Sequence, residues 1–389
     1  MAGQGRCRWI GGLVVLAWAA AAPVAVARQG YATGFETDPL AAGWAWGKAA
    51  WEREARHPGE ARWIEEEAMF EVQKGMWRSP AVTVEPLSYY AVTVVARGDA
   101  AGYWALLSYD ADGNEIPASP YSNIDAADDW AEWRSAVLIP EEAIEARLLL
   151  WPARGPLQIA STAFEPVTPA EALAIGDALY AELPPVRASP DPARWTGLDR
   201  TRAALENGRP LRIVALGDSV ANDLANANPQ LLLERLWPGA TVTLFNKVGS
   251  GTNAGDYMEG DRLQRDCLAF EPDLVIFGGM STRSLDDIRK LAAGVTAGGA
   301  DCLILTSTLM IPEYWDRFEA QQPGRQTWLD DLRAAAQADG FAVFDSGGEW
   351  DRYVIDSGLG IEFFRRDGHH ANELGKQIFA RLLAAHLAP

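Results

Sequence analysis

Cysteine and histidine are scarce, at three and four in 389 residues. They are too few and too scattered for the Cys/His spacing of a zinc site. Cys7 precedes an apolar run, so it is not placed for lipid attachment. That leaves Cys267 and Cys302, which an exported chain could pair, though sequence does not show whether their Cα atoms approach. Basic residues are also in deficit: 34 Lys and Arg stand against 53 Asp and Glu, a net charge of −19. A surface this acidic repels phosphate backbones and excludes nucleic acid as a natural partner. The same repulsion disfavours fatty-acid micelles and anionic lipid, whereas a neutral substrate meets no penalty. After Ala27 no apolar stretch is long enough to span a bilayer.

Apolar residues are plentiful at 48%, which supports packed cores, and the length suits two domains of ordinary size. Arg6 and Arg8 precede "WIGGLVVLAWAAAAPVAVA", and Ala25-Val26-Ala27 fits a small-x-small cleavage site. This reads as a Sec signal peptide over residues 1–27, in competition with an uncleaved anchor. A secreted or periplasmic product follows, with no stable membrane association after cleavage. Cleavage removes two arginines and no acid, so Lys+Arg falls from 34 to 32 and net charge moves from −19 to −21.

Residues 28–167 read as an all-β sandwich. "YYAVTVVARGD", "GYWALLSYDADGNEI", "AEWRSAVLIP" and "EARLLLWPARG" carry β-branched and aromatic residues between turn signals. Asp112-Gly113 suits a hairpin turn. "DADGNEI" imitates the start of a calcium loop, but Tyr121 occupies the twelfth position, where a bidentate Glu belongs. Nine of the sixteen tryptophans fall here: Trp44, Trp46, Trp51, Trp63, Trp77, Trp104, Trp130, Trp133 and Trp151. Most are expected to fill the core, while an exposed subset would stack on sugar rings. The opening "GFETD" and the strand order resemble the jelly-roll modules that accompany secreted carbohydrate-active enzymes.

Residues 168–208 read as a capped helix followed by a Pro-rich linker. "TPAE", from Thr168 to Glu171, has a capping-box spacing with Pro at the first helical position, and the helix is expected to run to about Leu183. Residues 209–389 alternate apolar runs ("LRIVAL", "TVTLFN", "DLVIF", "CLILTS", "FAVFD") with helical segments. That alternation predicts an α/β fold with a parallel sheet covered on both faces. In such sheets the site lies beyond the carboxyl ends of the strands.

The loop after the first run is Gly217-Asp218-Ser219. Ser and Asp before a helix usually cap it. The same position would also let helix N–H groups stabilise an alkoxide. The second loop is "NKVGSGTN", Asn246 to Asn253, and the third is "GGMST", Gly278 to Thr282. The last holds "RRDGHHANELGKQ", in which Asp367 can fold back onto His370. Each of these is ordinary alone. Together they place Ser, Asp and His on carboxyl-end loops of one predicted sheet.

"GDSV", a glycine in the second loop, "GGMS" and "DGHHAN" resemble the blocks of the SGNH (GDSL-type) hydrolases over residues 209–387. The resemblance implies a flavodoxin-like α/β/α sandwich and serine hydrolase chemistry on esters. It further implies Ser219 as nucleophile, His370 as base and Asp367 as its orienting acid, with no role for His369 in the chemistry. Ser219 and Gly251 N–H groups would hold the oxyanion. One departure stands out: Ser281 occupies the place of the family's third-block Asn, whose carboxamide donates to the oxyanion. Losing such a donor costs about 100- to 1000-fold; Ser281 or Asn253 could compensate, and without either the domain would be a weak enzyme. No metal or organic cofactor is expected. The sequence therefore reads as an exported short-chain esterase, acetyl-preferring, acting on a carbohydrate. An O-acyltransferase on the same triad, and a glycan-binding protein with a degenerate hydrolase domain, remain as alternatives.

Overall fold

The structure, a computed structural model, describes residues 30–47, 49–50, 59–98, 101–125, 127–153, 155–187, 193–280, 284–306 and 325–389. The stretch read as a signal peptide, Trp51 and Ser281 lie outside them.

Among the described residues the first unit holds strands β1 (Tyr31–Thr33), β2 (Ala45–Trp46), β3 (Glu60–Ile64), β4 (Met69–Lys74), β5 (Trp77–Arg78), β6 (Val82–Thr83), β7 (Tyr89–Gly98), β8 (Gly102–Tyr109), β9 (Tyr121–Ile124), β10 (Ala127–Leu138), β11 (Glu145–Pro152) and β12 (Leu157–Val167). They form two antiparallel sheets, ordered β10-β7-β12-β4-β3 with β1 on β12, and β2-β5-β11-β8-β9 with β6 on β11. Alternate residues of each sheet meet between the layers: Val92 and Val94 of β7 share a core with Trp104 and Leu106 of β8 and Leu148 and Leu150 of β11. Trp44, Trp77 and Trp104 fill this core, as expected for large aromatics, while Trp46 and Trp130 are exposed. The Arg97 guanidinium lies over the Trp130 ring. "DADG" is a turn satisfied from within: the Asp110 carboxylate accepts the N–H groups of Asp112 and Asn114 and the Asn114 side-chain amide.

The capping box at Thr168 and Glu171 forms as its spacing predicts, and the helix spans Pro169–Tyr180. The second unit is a parallel five-stranded sheet of β13 (Leu211–Gly217), β14 (Val242–Asn246), β15 (Leu274–Gly278), β16 (Asp301–Leu305) and β17 (Ala342–Phe344), ordered β14-β13-β15-β16-β17. This is the flavodoxin-like order, with its switch point between the first and third strands. Ile213 and Ala215 of β13 point into one core, which holds the Ser219–Ala225 and Glu373–His386 helices. Val214 and Leu216 point into the opposite core with the Leu285–Ala297 and Arg325–Asp339 helices. Burial on both faces explains why these strands read as unbroken apolar runs. Cys267 and Cys302 are free and buried in that second core. Burial pushes the Cys267 thiol up to about 12, so it stays protonated and unreactive.

The two units are joined by an extensive contact. Ala118 of the sandwich sits in the α/β core. Polar groups bridge the junction as well: Ser135 Oγ donates to Glu373 (2.6 Å), Lys376 Nζ to the Tyr121 carbonyl (2.7 Å), Asn222 Nδ2 to the Ser119 carbonyl (2.9 Å) and Asn228 Nδ2 to the Ala136 carbonyl (2.8 Å).

Candidate active site

β13 and β15 are hydrogen-bonded neighbours whose last residues, Gly217 and Gly278, lie in register at the switch point. Gly217 has φ +130°, and a Cβ there would stand 1.9 Å from the Gly278 carbonyl oxygen. Only glycine lets the chain leave β13 at this angle. Gly217→Ala is therefore expected to cost about 1–3 kcal/mol in backbone strain alone, more with the clash, read as a lower urea midpoint. Gly279 has φ +124°, and a Cβ on it would meet the Asp218 carboxylate at 2.2 Å. The third loop therefore closes directly on the first.

The cap of the Ser219–Ala225 helix is Asp218, whose carboxylate accepts the Val220 N–H at 2.9 Å. That settles which of the two residues caps and leaves the Ser219 hydroxyl to other partners. Its Oγ lies 2.8 Å from His370 Nε2, and His370 Nδ1 lies 2.8 Å from Asp367 Oδ2. Asp367 Oδ1 also accepts the backbone N–H groups of His369 and His370, each at 2.9 Å. The carboxylate thus grips both ends of the histidine turn and fixes the tautomer with the proton on Nδ1. Burial pushes the Asp367 carboxyl up, but the His370 ring and these N–H groups pull it further the other way, well below the usual range. It is ionised wherever the protein is folded near neutrality. The His369 ring lies tilted against His370, with centroids 4.0 Å apart at 47°, and burial lowers its affinity for a proton.

The second loop is tied to the same corner. Gly249 N–H donates to the Gly217 carbonyl at 3.0 Å, and Asn246 Nδ2 donates to Asn222 Oδ1 of the serine helix at 2.8 Å. Gly251 sits in the exposed turn that follows. Asn253 caps the Ala254–Tyr257 helix through its side-chain oxygen, which accepts Gly255 N–H at 2.8 Å and Asp256 N–H at 3.3 Å. Its carboxamide NH2 is the group left for any other role. Ser281 lies outside the described residues.

Asp367, His369 and His370 place ligand-type atoms within 4.8 Å of one another. A cation there would compete for the same carboxylate and ring nitrogen that the serine chain uses. Among the described residues no helix is long and apolar enough to cross a membrane.

Three supports of the site carry no sequence signal. Tyr257 is fully buried against the Gly217 turn, its hydroxyl accepting the Gly217 N–H at 3.1 Å and lying 3.0 Å from the Lys247 carbonyl. Asp223, one turn after Ser219, accepts Arg366 Nη1 at 2.9 Å and the Ala371 N–H at 2.9 Å. Tyr121 of β9 puts its ring edge against His370, with centroids 5.9 Å apart at 68°. A buried acid inside a helix and an aromatic at a strand start look like any solvated charge and any core residue.

No family model matches this sequence, and no curated protein matches it. Several solved structures share features of the fold. One is a two-domain esterase active on acetylated mannans, 16% identical, aligned over 50% of this chain and 52% of that one, with a TM-score of 0.39. A second is a variant of an acetyl-xylooligosaccharide esterase from a Geobacillus, 17% identical, covering 46% of this chain and 94% of that one, TM-score 0.37. A third is a Bacillus subtilis protein, 14% identical over 88% of this chain and 89% of that one, TM-score 0.33. The chain thus spans about half of the mannan esterase and nearly all of the Bacillus protein.

Proposed function

We propose that this chain is an exported serine esterase that removes short acyl groups, acetyl foremost, from a carbohydrate. The observation that carries the reading is the unbroken chain Ser219 Oγ–His370 Nε2 and His370 Nδ1–Asp367 Oδ2, each link 2.8 Å. An ionised carboxylate orients the imidazole, which is in turn within reach of a hydroxyl that no cap competes for.

In this mechanism Ser219 Oγ attacks the ester carbonyl and its proton passes to His370 Nε2. Asp367 stabilises the imidazolium without taking the proton. The N–H groups of Ser219 and Gly251 hold the oxyanion, joined by the Asn253 amide or the Ser281 hydroxyl. His370 then protonates the departing sugar oxygen. Water, deprotonated by His370, hydrolyses the acyl-serine and releases the acid. The acidic surface suits a neutral substrate better than an anionic lipid. The exposed Trp46 ring offers an apolar face of the kind that sugars stack on.

The test is hydrolysis of p-nitrophenyl acetate and butyrate, together with release of acetate from an acetylated oligosaccharide. Preference for acetate, with acid released from the sugar, is the expected result. Background rates on all three would overturn the proposal. Ester formed on an added acceptor sugar in place of free acid would make the enzyme a transferase.

A further inference from the structure

We infer that Tyr121, delivered by the β-sandwich, is a positioning residue for His370, so that the site is completed only across the junction of the two units. The inference rests on the serine-esterase reading above.

Tyr121 begins β9, at the rim of the sheet facing the α/β unit. Its backbone is fixed there. The carbonyl accepts Lys376 Nζ at 2.7 Å, and Lys376 in turn contacts Glu373 at 2.6 Å. Two residues earlier, the Ser119 carbonyl accepts the Asn222 side-chain amide from the serine helix. The ring is therefore set from both sides and is not a loosely packed surface aromatic.

The ring meets two groups of the histidine loop. Its edge abuts His370, and the Arg366 guanidinium carbon lies over it, 3.7 Å from the centroid. The Arg366 side chain is wholly inaccessible to solvent, as is nearly all of the side chain of Asp223, its ion-pair partner. Arg366 N–H also donates to the His370 carbonyl at 3.1 Å, and its guanidinium donates to the Ala371 carbonyl. Arg366 thus spans the turn that carries both Asp367 and His370. A cation enclosed in this way gains from an aromatic face, and Tyr121 supplies it. Removing the ring opens space beside the imidazole and over the guanidinium at once. The Ser219 to His370 contact is one hydrogen bond long, and displacing reacting groups by about 1 Å costs on the order of 100-fold in rate.

A fluorophosphonate reagent reads this geometry directly. The Ser219 oxygen bonds to phosphorus, fluoride leaves, and the hydroxyl proton passes to His370. Labelling rate, kcat and KM on p-nitrophenyl acetate, and thermal unfolding are measured for the full mature protein and for Tyr121→Phe, Tyr121→Leu and Tyr121→Ala. Tyr121→Phe keeps the ring but loses the hydroxyl's hydrogen bond to Arg366, so it is expected between wild type and Tyr121→Leu, within about 10-fold of wild type. Tyr121→Leu and Tyr121→Ala are expected to lose about 100-fold in labelling rate and kcat at near-constant KM, with the unfolding midpoint kept. Leu and Ala variants labelled as fast as wild type would overturn the inference and leave the esterase reading intact. Variants that no longer fold would overturn it too, by making the contact structural. A wild type that is not labelled would sink the esterase reading, and this inference with it.

Discussion

Ser219→Ala is expected to lower kcat on p-nitrophenyl acetate by about a millionfold, to the residual rate that binding and oxyanion donors alone sustain. The expectation follows from a division of labour at the turn. Asp218 caps the helix through Val220 N–H, so removing the serine hydroxyl leaves the helix start satisfied. Ser219 Oγ makes its contact with His370. The substitution is therefore expected to shift stability by no more than about 0.5 kcal/mol, and KM by little. Those two measurements separate the nucleophile from the alternative in which Ser219 belongs to the helix start. If Ser219 were structural, activity and thermal midpoint would fall together. If the protein were a glycan binder with a degenerate hydrolase domain, the variant would bind and turn over as the parent does.

The candidate site residues are legible in the sequence because they fall in local patterns that resemble the family's blocks: Ser219 follows a strand at a helix start, and Asp367 stands three residues before His370. The parallel strands were equally plain, since burial on both faces writes a continuous apolar run. What escaped is what depends on contacts distant in sequence. Asp223 and Arg366 are 143 positions apart, and each alone reads as a solvated charge. Tyr121 meets His370 only because the sandwich docks on the α/β unit, and no local spacing encodes docking. Strand β4 also escapes the alternation pattern: it buries four consecutive residues, Met69 to Val72, so its faces do not separate into polar and apolar. The cysteines gave no pairing signal, and the fold places both in an apolar core as free thiols.

Asp223→Ala is expected to destabilise the protein by about 3–5 kcal/mol, the cost of stranding a buried charge by removing its partner. Arg366 cannot escape that cost by shedding its proton. Burial pulls its guanidinium toward neutrality, but Asp223 and Tyr121 more than offset this and hold the proton more firmly than in water. The Ala371 N–H loses its acceptor in the same substitution, and an unmet buried donor adds about 1–3 kcal/mol. Asp223→Asn keeps an acceptor for Ala371 but not the charge, so its loss should fall between wild type and Asp223→Ala. Urea unfolding at neutral pH measures all three, and a loss below about 1 kcal/mol for Asp223→Ala would contradict the enclosed pair. The double replacement Asp223→Leu with Arg366→Met separates stability from alignment. A buried ion pair exchanged for apolar side chains of similar size is often neutral, so the double variant is expected to regain most of the stability. It is not expected to regain the rate: the guanidinium no longer holds the Ala371 carbonyl beside His370, and the Ser219 helix and the Asp367–His370 loop lose the buried ion pair that links them. A stable double variant with wild-type kcat would show that the pair serves folding alone and that the triad keeps its own register.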